Sequence, residues 1–597
     1  MTTGFLHPSA FLIAGALLLP FIRGPLRRPY LFLVPLLGLF AVLYNTTLSA
    51  DNYGLMNFLD WQVVFGRVDK LSSVFALIMS LMAVVGTLYG LHVDRAGEHM
   101  AAWFYAAGSL GVIYGGDYLT LFLFWEMMAF ASVFLVWFRR GPNSLAVGYR
   151  YLIIHTIGGI ILLAGILLRY QATGSIVFDL LDVAHPEPFT WLIMIGFGLN
   201  AAMVPLHSWL PEAYSEASFN GAVFLCAFTT KTAVYALARA CAGMEILVVL
   251  GVIMALYGVI YAVMENDIRK LLAWSIVSQV GYMVAGIGIG TDMAINGAVA
   301  HAVVHILYKS LLFMGTGSVL YMTGKTKFTE LGGLHGKMPA TFFFTMIGCL
   351  SISAAPFFAA YASKSMIITA GFEHHLNWAG WLLMFGATGT LMYNGLKLPY
   401  FLFFGGNRCS KATWEKAGDP PGNMLIAMTL GATLCILVGT APGFLYALLP
   451  YPVDYTPHTV YHLMETLQLL GFAALAFFLL KRYVEPVDRI CLDIDWLYRQ
   501  AGRALLWLIR RPLQWCDTAW GEAYRVVGLG SLMTVSRFWS WFDWNAIDGV
   551  VDGIARGVRA LGGKVRVLQS GQIQIALFYV SSLAAIVLVT FVVSQLL

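Results

Sequence analysis

Apolar runs of about 20 residues recur along almost the whole chain, and this repetition restricts the fold more than any single motif. A run of that length wound as a helix crosses the hydrocarbon core of a bilayer, and a helix satisfies its own backbone polar groups there. Candidate spans lie near 9–22, 31–48, 71–92, 100–115, 117–138, 147–169, 189–206, 217–242, 245–264 and 270–290. Others lie near 294–322, 340–369, 378–404, 422–448, 460–480 and 572–596. The pattern predicts an all-α polytopic membrane protein of about 14–16 transmembrane helices, some of them broken. Composition agrees. Of the 597 residues 59% are apolar and 11% charged, against roughly a quarter charged in an ordinary soluble domain, which excludes a soluble, disordered or coiled-coil chain.

The net charge of +5 reads as an excess of basic residues in cytoplasmic loops rather than as a nucleic-acid surface. Arg23, Arg27 and Arg28 follow the first span, and Arg139 and Arg140 follow the one ending at Phe138. The loop 171–188 carries Asp179, Asp182 and Glu187 instead. With the arginine loops in the cytoplasm, the N-terminus is expected outside. Residues 1–8 lack a basic n-region, so the first helix is expected to act as its own insertion signal. The seven cysteines are scattered without a CxxC, and no dinucleotide-binding, Walker or Ser/His/Asp pattern occurs. Neither a cofactor nor a metal is expected.

Residues 481–570 mix charges with Trp496, Trp507, Trp515, Trp520, Trp539, Trp541 and Trp544, and apolar residues recur between the charges at helical spacing. This predicts amphipathic helices lying along the membrane surface, with a last span over 573–593 anchoring the end. Such a segment suits bracing of neighbouring protein better than catalysis. The plainer alternative is a peripheral extension without a partner.

The informative residues are the ionisable ones inside apolar spans, each costing roughly 2.5–3.5 kcal/mol at a helix centre on insertion scales. Glu126, in LTLFLFWEMMAFASVFLVWF, has no other charge within eight residues on either side and is a plausible proton carrier, or a structural hydrogen-bonding Glu. Lys231, in FLCAFTTKTAVYALAR, is a titratable lysine or one snorkelling near a helix end. His301, His305 and Lys309 fall at i, i+4 and i+8 and share one helix face. Two imidazoles and an ammonium in a row suit a proton relay better than a metal or haem site. Lys364 follows Pro356 in SISAAPFFAAYASKSMIITA, and a second interruption is expected in MVPLHSWLPEAYSEAS around Pro205, His207, Pro211, Glu212 and Glu216. Charged, broken helices mark ion-transport sites. Glu265, Asp267, Arg269 and Lys270 read in part as ordinary capping of a cytoplasmic helix start.

The motifs VPLHSWLPEAYSEAS, TKTAVYALAR, ENDIRKLLAWSIVSQVGYM and HAVVHILYKSLLFMGTGSVL occur in that order over about residues 70–405. They resemble the proton-conducting antiporter family: Mrp-type cation/proton antiporter subunits and the antiporter-like subunits of respiratory complex I and membrane-bound hydrogenases. The resemblance implies 14 core helices with two inverted five-helix repeats, each holding a broken helix. Residues 1–98 would be N-terminal helices, 99–290 the first repeat, 291–450 the second, and 451–597 a C-terminal helix, lateral segment and anchor. It implies proton translocation along a Glu/Lys/His axis, with Glu126, Lys231, His301, His305, Lys309 and Lys364 as its members and Arg269–Lys270 as the family's basic pair. The expected partners are other membrane subunits, the bilayer and protons or sodium, in a cell inner membrane. The alternatives are the pumping arm of a complex I-like or hydrogenase-type oxidoreductase, or a subunit whose first half-channel is inactive.

One position departs from the family. The lysine usual about five residues before the proline of PLHxWLP is here Asn200, so either Lys231 partners Glu126 or the first half-channel is altered. The C-terminus resembles the tail of the distal complex I antiporter-like subunit, with Arg566, Gln569 and Gly571 matching a turn before the last helix.

Overall fold

The computed structural model describes residues 4–488, 491–568 and 571–596. Its helices, in chain order, are α1 (Pro8–Leu18), α2 (Arg27–Asn45), α3 (Lys70–Tyr89), α4 (Ala96–Tyr114), α5 (Tyr118–Trp137), α6 (Ser144–Thr173), α7 (Pro188–Asn200), α8 (Trp209–Glu216), α9 (Gly221–Ala227) and α10 (Thr229–Ala240). They continue with α11 (Ile246–Met264), α12 (Ile268–Ile289), α13 (Asp292–Thr323), α14 (Pro339–Ile352), α15 (Ala359–Glu373), α16 (Asn377–Thr390), α17 (Lys411–Lys416), α18 (Gly422–Thr440), α19 (Gly443–Tyr446) and α20 (Val460–Val484). Among the described residues 11 helices are long and apolar enough to cross a membrane, and three more, Pro8–Phe21, Pro188–Asn200 and Pro339–Ile352, are shorter and apolar. The protein is a multi-pass helical membrane protein.

One element escaped the sequence reading. Between α2 and α3 an antiparallel hairpin pairs β1 (Asp51–Phe58) with β2 (Trp61–Val68), closed by a tight turn with Leu59 at φ 53°. Its mixed sequence is neither a long apolar run nor cleanly alternating. Asp117 fastens it: one carboxylate oxygen accepts the Val64 amide at 2.7 Å while the other caps α5 through the Thr120 amide at 2.8 Å.

The chain repeats itself from α4 onward. Helices α4 to α8 have counterparts in α11 to α15 at a constant interval along the sequence. Asp117 and Asp267 begin the second helix of each set and pair across isolated bridges with Val177 and Lys327. Gly174 and Gly324 end the third helix in the left-handed conformation, at φ 68° and 70°. Ala202 and Ala354 sit in the breaks of the fourth, at φ 58° and 54°. The expected interruptions are thus the gaps between α7 and α8 and between α14 and α15, the latter holding Pro356.

Helices α12 and α13 and the α9–α10 pair are enclosed on all sides by the others. In α12 and α13 apolar, small and hydroxyl residues lie all round without an apolar stripe, which suits a helix that never meets lipid. Close approach of α11 to α12 depends on glycine: a Cβ on Gly281 would lie 2.5 Å from the Gly251 carbonyl oxygen and 2.6 Å from the Ala255 nitrogen.

Residues through Ile494 form one compact unit, and those from Asp495 onward a second. The second is a run of helices α21 (Asp495–Leu508), α22 (Gln514–Ala523), α23 (Gly530–Phe542) and α24 (Asp548–Leu568), joined through π-helical stretches at Ile509–Leu513, Tyr524–Leu529 and Asp543–Ile547, and then α25 (Ile573–Leu596). At 1.5 Å per residue the run before α25 amounts to roughly 110 Å of helix. Trp515, Trp520, Trp539, Trp541 and Trp544 are all exposed on it. Arg566 lies in the last turn of α24 and Gly571 has φ 64°, whereas Gln569 lies outside the described residues.

Candidate functional site

The geometry of the site follows from the two broken helices and the kink between α9 and α10. Phe228, at φ −101° and ψ −70°, interrupts that pair and leaves nearby carbonyls without helical partners. Lys231 uses one of them: its Nζ donates to the Cys226 carbonyl at 2.6 Å and to Thr230 Oγ1 at 2.9 Å. Cys226 Sγ lies 3.5 Å from Ser310 Oγ, which sets the Lys231 break beside the Lys309 turn of α13. Lys309 Nζ donates to the Leu272 carbonyl at 3.1 Å and to Ser275 Oγ, both on α12.

One and two turns back along α13 come the histidines. His305 has no hydrogen-bond partner at either ring nitrogen among the described residues. His301 Nδ1 lies 2.9 Å from Ser363 Oγ, and its Nε2 lies 3.4 Å from the Tyr308 hydroxyl, which itself donates to Gln279 Oε1 at 3.4 Å. Ser363 precedes Lys364 in α15. The break ahead of α15 frees the Ile352 carbonyl, which accepts from Lys364 Nζ at 3.0 Å, and the ammonium sits 5.2 Å from the Tyr282 ring centre. Lys231, His301, His305 and Lys309 are fully buried and Lys364 is 2% exposed. Beyond Lys364 opens a cavity of about 400 Å³, also lined by Tyr361, His462 and Glu465. Five of the six residues singled out in the sequence therefore form one buried row.

Glu126 stands apart from that row. It lies on α5 against α6, where Gly159 leaves room for it: a Cβ at Gly159 would collide with Glu126 Oε1. That oxygen has no hydrogen-bond partner among the described residues. Lys231, bonded to the Cys226 carbonyl and the Thr230 hydroxyl, is not its partner. Asn200 is the last residue of α7, 1% exposed, with both amide atoms unpartnered among the described residues.

The basic pair has a structural role. Asp267 caps α12 by accepting the Arg269 and Lys270 amides at 2.8 and 2.9 Å. The buried Arg269 guanidinium donates to the Ala217 and Ser218 carbonyls at 2.7 and 3.0 Å, satisfying the chain end that follows α8. Arg139 and Arg150 pair with Glu216 and Glu212 at 3.3 and 3.0 Å, tying α8 to the basic loop and to α6.

Ser275, Gln279, Tyr282, Tyr308 and Ser363 contact the row but carry no formal charge, so nothing in an apolar run marks them out. Lys397 is different: it is an ionisable residue within the apolar run 378–404, 1% exposed, that the charge pattern should have marked, and it donates to the Glu265 carbonyl at 2.8 Å. Overlaying the chain on itself at the repeat interval would have drawn attention to another, His155.

Residues 115–392 match the sequence model of the family described as "NADH:quinone oxidoreductase/Mrp antiporter, TM". Hydrogenase-4 component B of Escherichia coli (strain K12) is 30% identical over 424 residues, which is 64% of this chain and 62% of that protein. This chain thus spans less than two thirds of that relative's length. A Na(+)/H(+) antiporter subunit of Alkalihalophilus pseudofirmus is 27% identical over 420 residues, 65% of this chain and 84% of that protein. A chain of the Mrp complex from Dietzia sp. DQ12-45-1b shares the fold with a TM-score of 0.73 at 23% identity, over 89% of this chain and 62% of that one. The chain is similar to these membrane proteins in sequence and fold, and the family likeness lies in residues 115–392.

Proposed function

We propose that this chain is an ion-translocating, antiporter-like subunit of a multi-subunit membrane complex. In this reading protons move along the row from Lys231 through Lys309, His305 and His301 to Lys364, with Glu126 as the acid at the other end. The observation that carries it is the row itself: three buried lysines, each held only by carbonyls, hydroxyls or a ring, with two buried histidines between Lys309 and Lys364. Among the described residues none of the three ammonium groups has a carboxylate partner, so none is locked in its charged state by an ion pair. Like charges at this spacing in a low dielectric disfavour one another, so a proton gained at one lysine promotes release from the next. Hydroxyls at Ser275, Thr230 and Ser363 supply the short steps between. The cavity beyond Lys364, with Glu465 and His462 on its wall, is an outlet to water.

The partners in this reading are the other membrane subunits of one complex, in a cell inner membrane, and the coupling ion is the proton, with sodium as the possible counter-ion. The relative from Alkalihalophilus pseudofirmus, named as part of a Na(+)/H(+) antiporter, supports it. A second reading makes the chain the pumping arm of an ion-translocating oxidoreductase, supported by the relative named Hydrogenase-4 component B. Mass spectrometry of the gently extracted complex separates them, since only the second includes redox proteins among the companions. Either way, Glu126→Gln and Lys364→Ala should each lower proton transport in membrane vesicles at least tenfold while the complex still assembles. Normal transport by both variants would sink the proposal.

A further inference from the structure

The row accounts for the second repeat but leaves Glu126 stranded in the first. The internal repeat shows what stands near it. Counted back from the closing glycines Gly174 and Gly324, His155 on α6 occupies the position that His305 occupies on α13. On the same count Gly159 stands where α13 has Lys309, and Glu126 Oε1 fills the space that this glycine leaves open. His155 is 1% exposed, and like His305 it has no hydrogen-bond partner at either ring nitrogen among the described residues. It faces the Asn200 side chain, whose amide lies within reach of the ring. One turn along α6 from Gly159, it lies on the face that receives Glu126. A carboxylate, an imidazole and an amide set about one stretch of α6, with polar atoms that the side chains leave open, suit a site where water completes the hydrogen bonding.

A path leads inward from there. The His155 ring packs on Tyr151 with ring centres 4.2 Å apart. The Tyr151 hydroxyl bonds Ser132 Oγ at 2.8 Å and lies beside Thr229. Thr229 Oγ1 lies 2.6 Å from the Tyr105 hydroxyl, and the Tyr214 hydroxyl faces the same threonine. Tyr105 reaches the Leu225 carbonyl at 3.5 Å, next along the chain from the Cys226 carbonyl that holds Lys231 at 2.6 Å. The titratable groups about His155 are thus Glu126 from α5, Tyr151 from its own helix, Tyr214 from α8 and Tyr105 from α4.

Building on the reading above, we infer that His155 is the proton carrier of the first repeat, linking Glu126 to Lys231 through the Tyr151–Thr229–Tyr105 hydroxyls. The Glu126 carboxyl gives its proton, through water, to the free nitrogen of the neutral imidazole. The imidazolium releases the proton of its other nitrogen inward, and the ring returns to its first tautomer by rotation. Each hydroxyl accepts a proton on oxygen as it passes its own to the next, and the last, on Tyr105, passes its proton through water to the uncharged Lys231 amine, which becomes the ammonium.

The test uses the whole complex in everted membrane vesicles, with transport read as the initial rate of a pH-gradient dye. His155→Gln keeps size and polarity but cannot titrate, and should lower the rate at least tenfold with normal subunit content. Because Asn200 faces His155, adding Asn200→Lys to His155→Gln returns a titratable group to the same site and should restore transport at least in part. Normal transport by His155→Gln beside an inactive Glu126→Gln overturns this inference and leaves the proposed function standing. A loss that Asn200→Lys does not repair assigns His155 to packing and also overturns it. Normal transport by Glu126→Gln also overturns this inference, and only normal transport by Lys364→Ala as well would be the failure of the proposed function.

Discussion

Glu126 and Lys231 are both single ionisable residues in apolar runs, yet their surroundings differ sharply. Lys231 is met by a backbone carbonyl and a hydroxyl; Glu126 meets a glycine, and its Oε1 has no hydrogen-bond partner among the described residues. This difference makes Gly159 a specific test. A methyl group there pushes on the far end of a flexible carboxylate side chain and on no backbone atom. Gly159→Ala should therefore change stability by no more than about 1 kcal/mol while displacing the carboxylate, with proton transport falling several-fold in the vesicle assay. Unchanged transport would mean that the carboxylate's place against α6 is immaterial. Glu126, Lys231, Lys309 and Lys364 stand out in the sequence because a charge in an apolar run is costly wherever the run is placed, and His301 and His305 because they share a helix face with Lys309. His155 has no charged residue one or two turns away on its own face and reads like any polar core residue.

At the scale of the element, glycine and capping residues govern how helices meet. Gly281 differs from Gly159 in what opposes it: backbone atoms of α11 at 2.5 and 2.6 Å, which cannot swing aside. Gly281→Ala should force α11 and α12 apart and destabilise the protein by about 1–3 kcal/mol, measured as a fall in Tm of the purified complex. The start of α3 supplies a pH-dependent clamp. Burial alone would raise the Asp69 carboxyl, but the Arg239 guanidinium, bonded to it at 2.8 and 2.9 Å, outweighs burial and holds the carboxyl below the usual range. A carboxyl depressed in the folded state stabilises fully above its unfolded value of 3.8 and loses that contribution as pH falls through the lower folded value. Tm should thus be insensitive to this clamp between pH 7 and 5, and Asp69→Asn should lower Tm across that range. A variant as stable as the parent at pH 7 would show the clamp to be idle. The caps at Asp117 and Asp267 were readable in kind, since an acid ahead of an apolar run is an ordinary helix start. That Asp117 also fastens a hairpin was not, because its second partner, Val64, is distant in sequence.

At the scale of the whole molecule, the unit ending at Ile494 holds the row, the breaks and the cavity, and the run from Asp495 carries exposed tryptophans on a long helix. If that run braces neighbouring subunits, a chain ending at residue 494 should insert and keep its core while losing its companions in mild-detergent pull-downs. Retention of every companion would favour the peripheral-extension alternative. Sequence by itself determined the class, because length and apolarity leave a chain in lipid no structure but helices, and it determined which residues share a face, because helical periodicity is a local property. Only the tertiary structure decided what each face meets. It set Lys231 on a freed carbonyl at the α9–α10 kink instead of on Glu126, gave the carboxylate the space left by Gly159, and laid the His155 ring against Trp209 of α8. Those pairings join residues on different helices, and their cause is the close packing of helices about glycines and broken ends, which periodicity along a single helix does not encode.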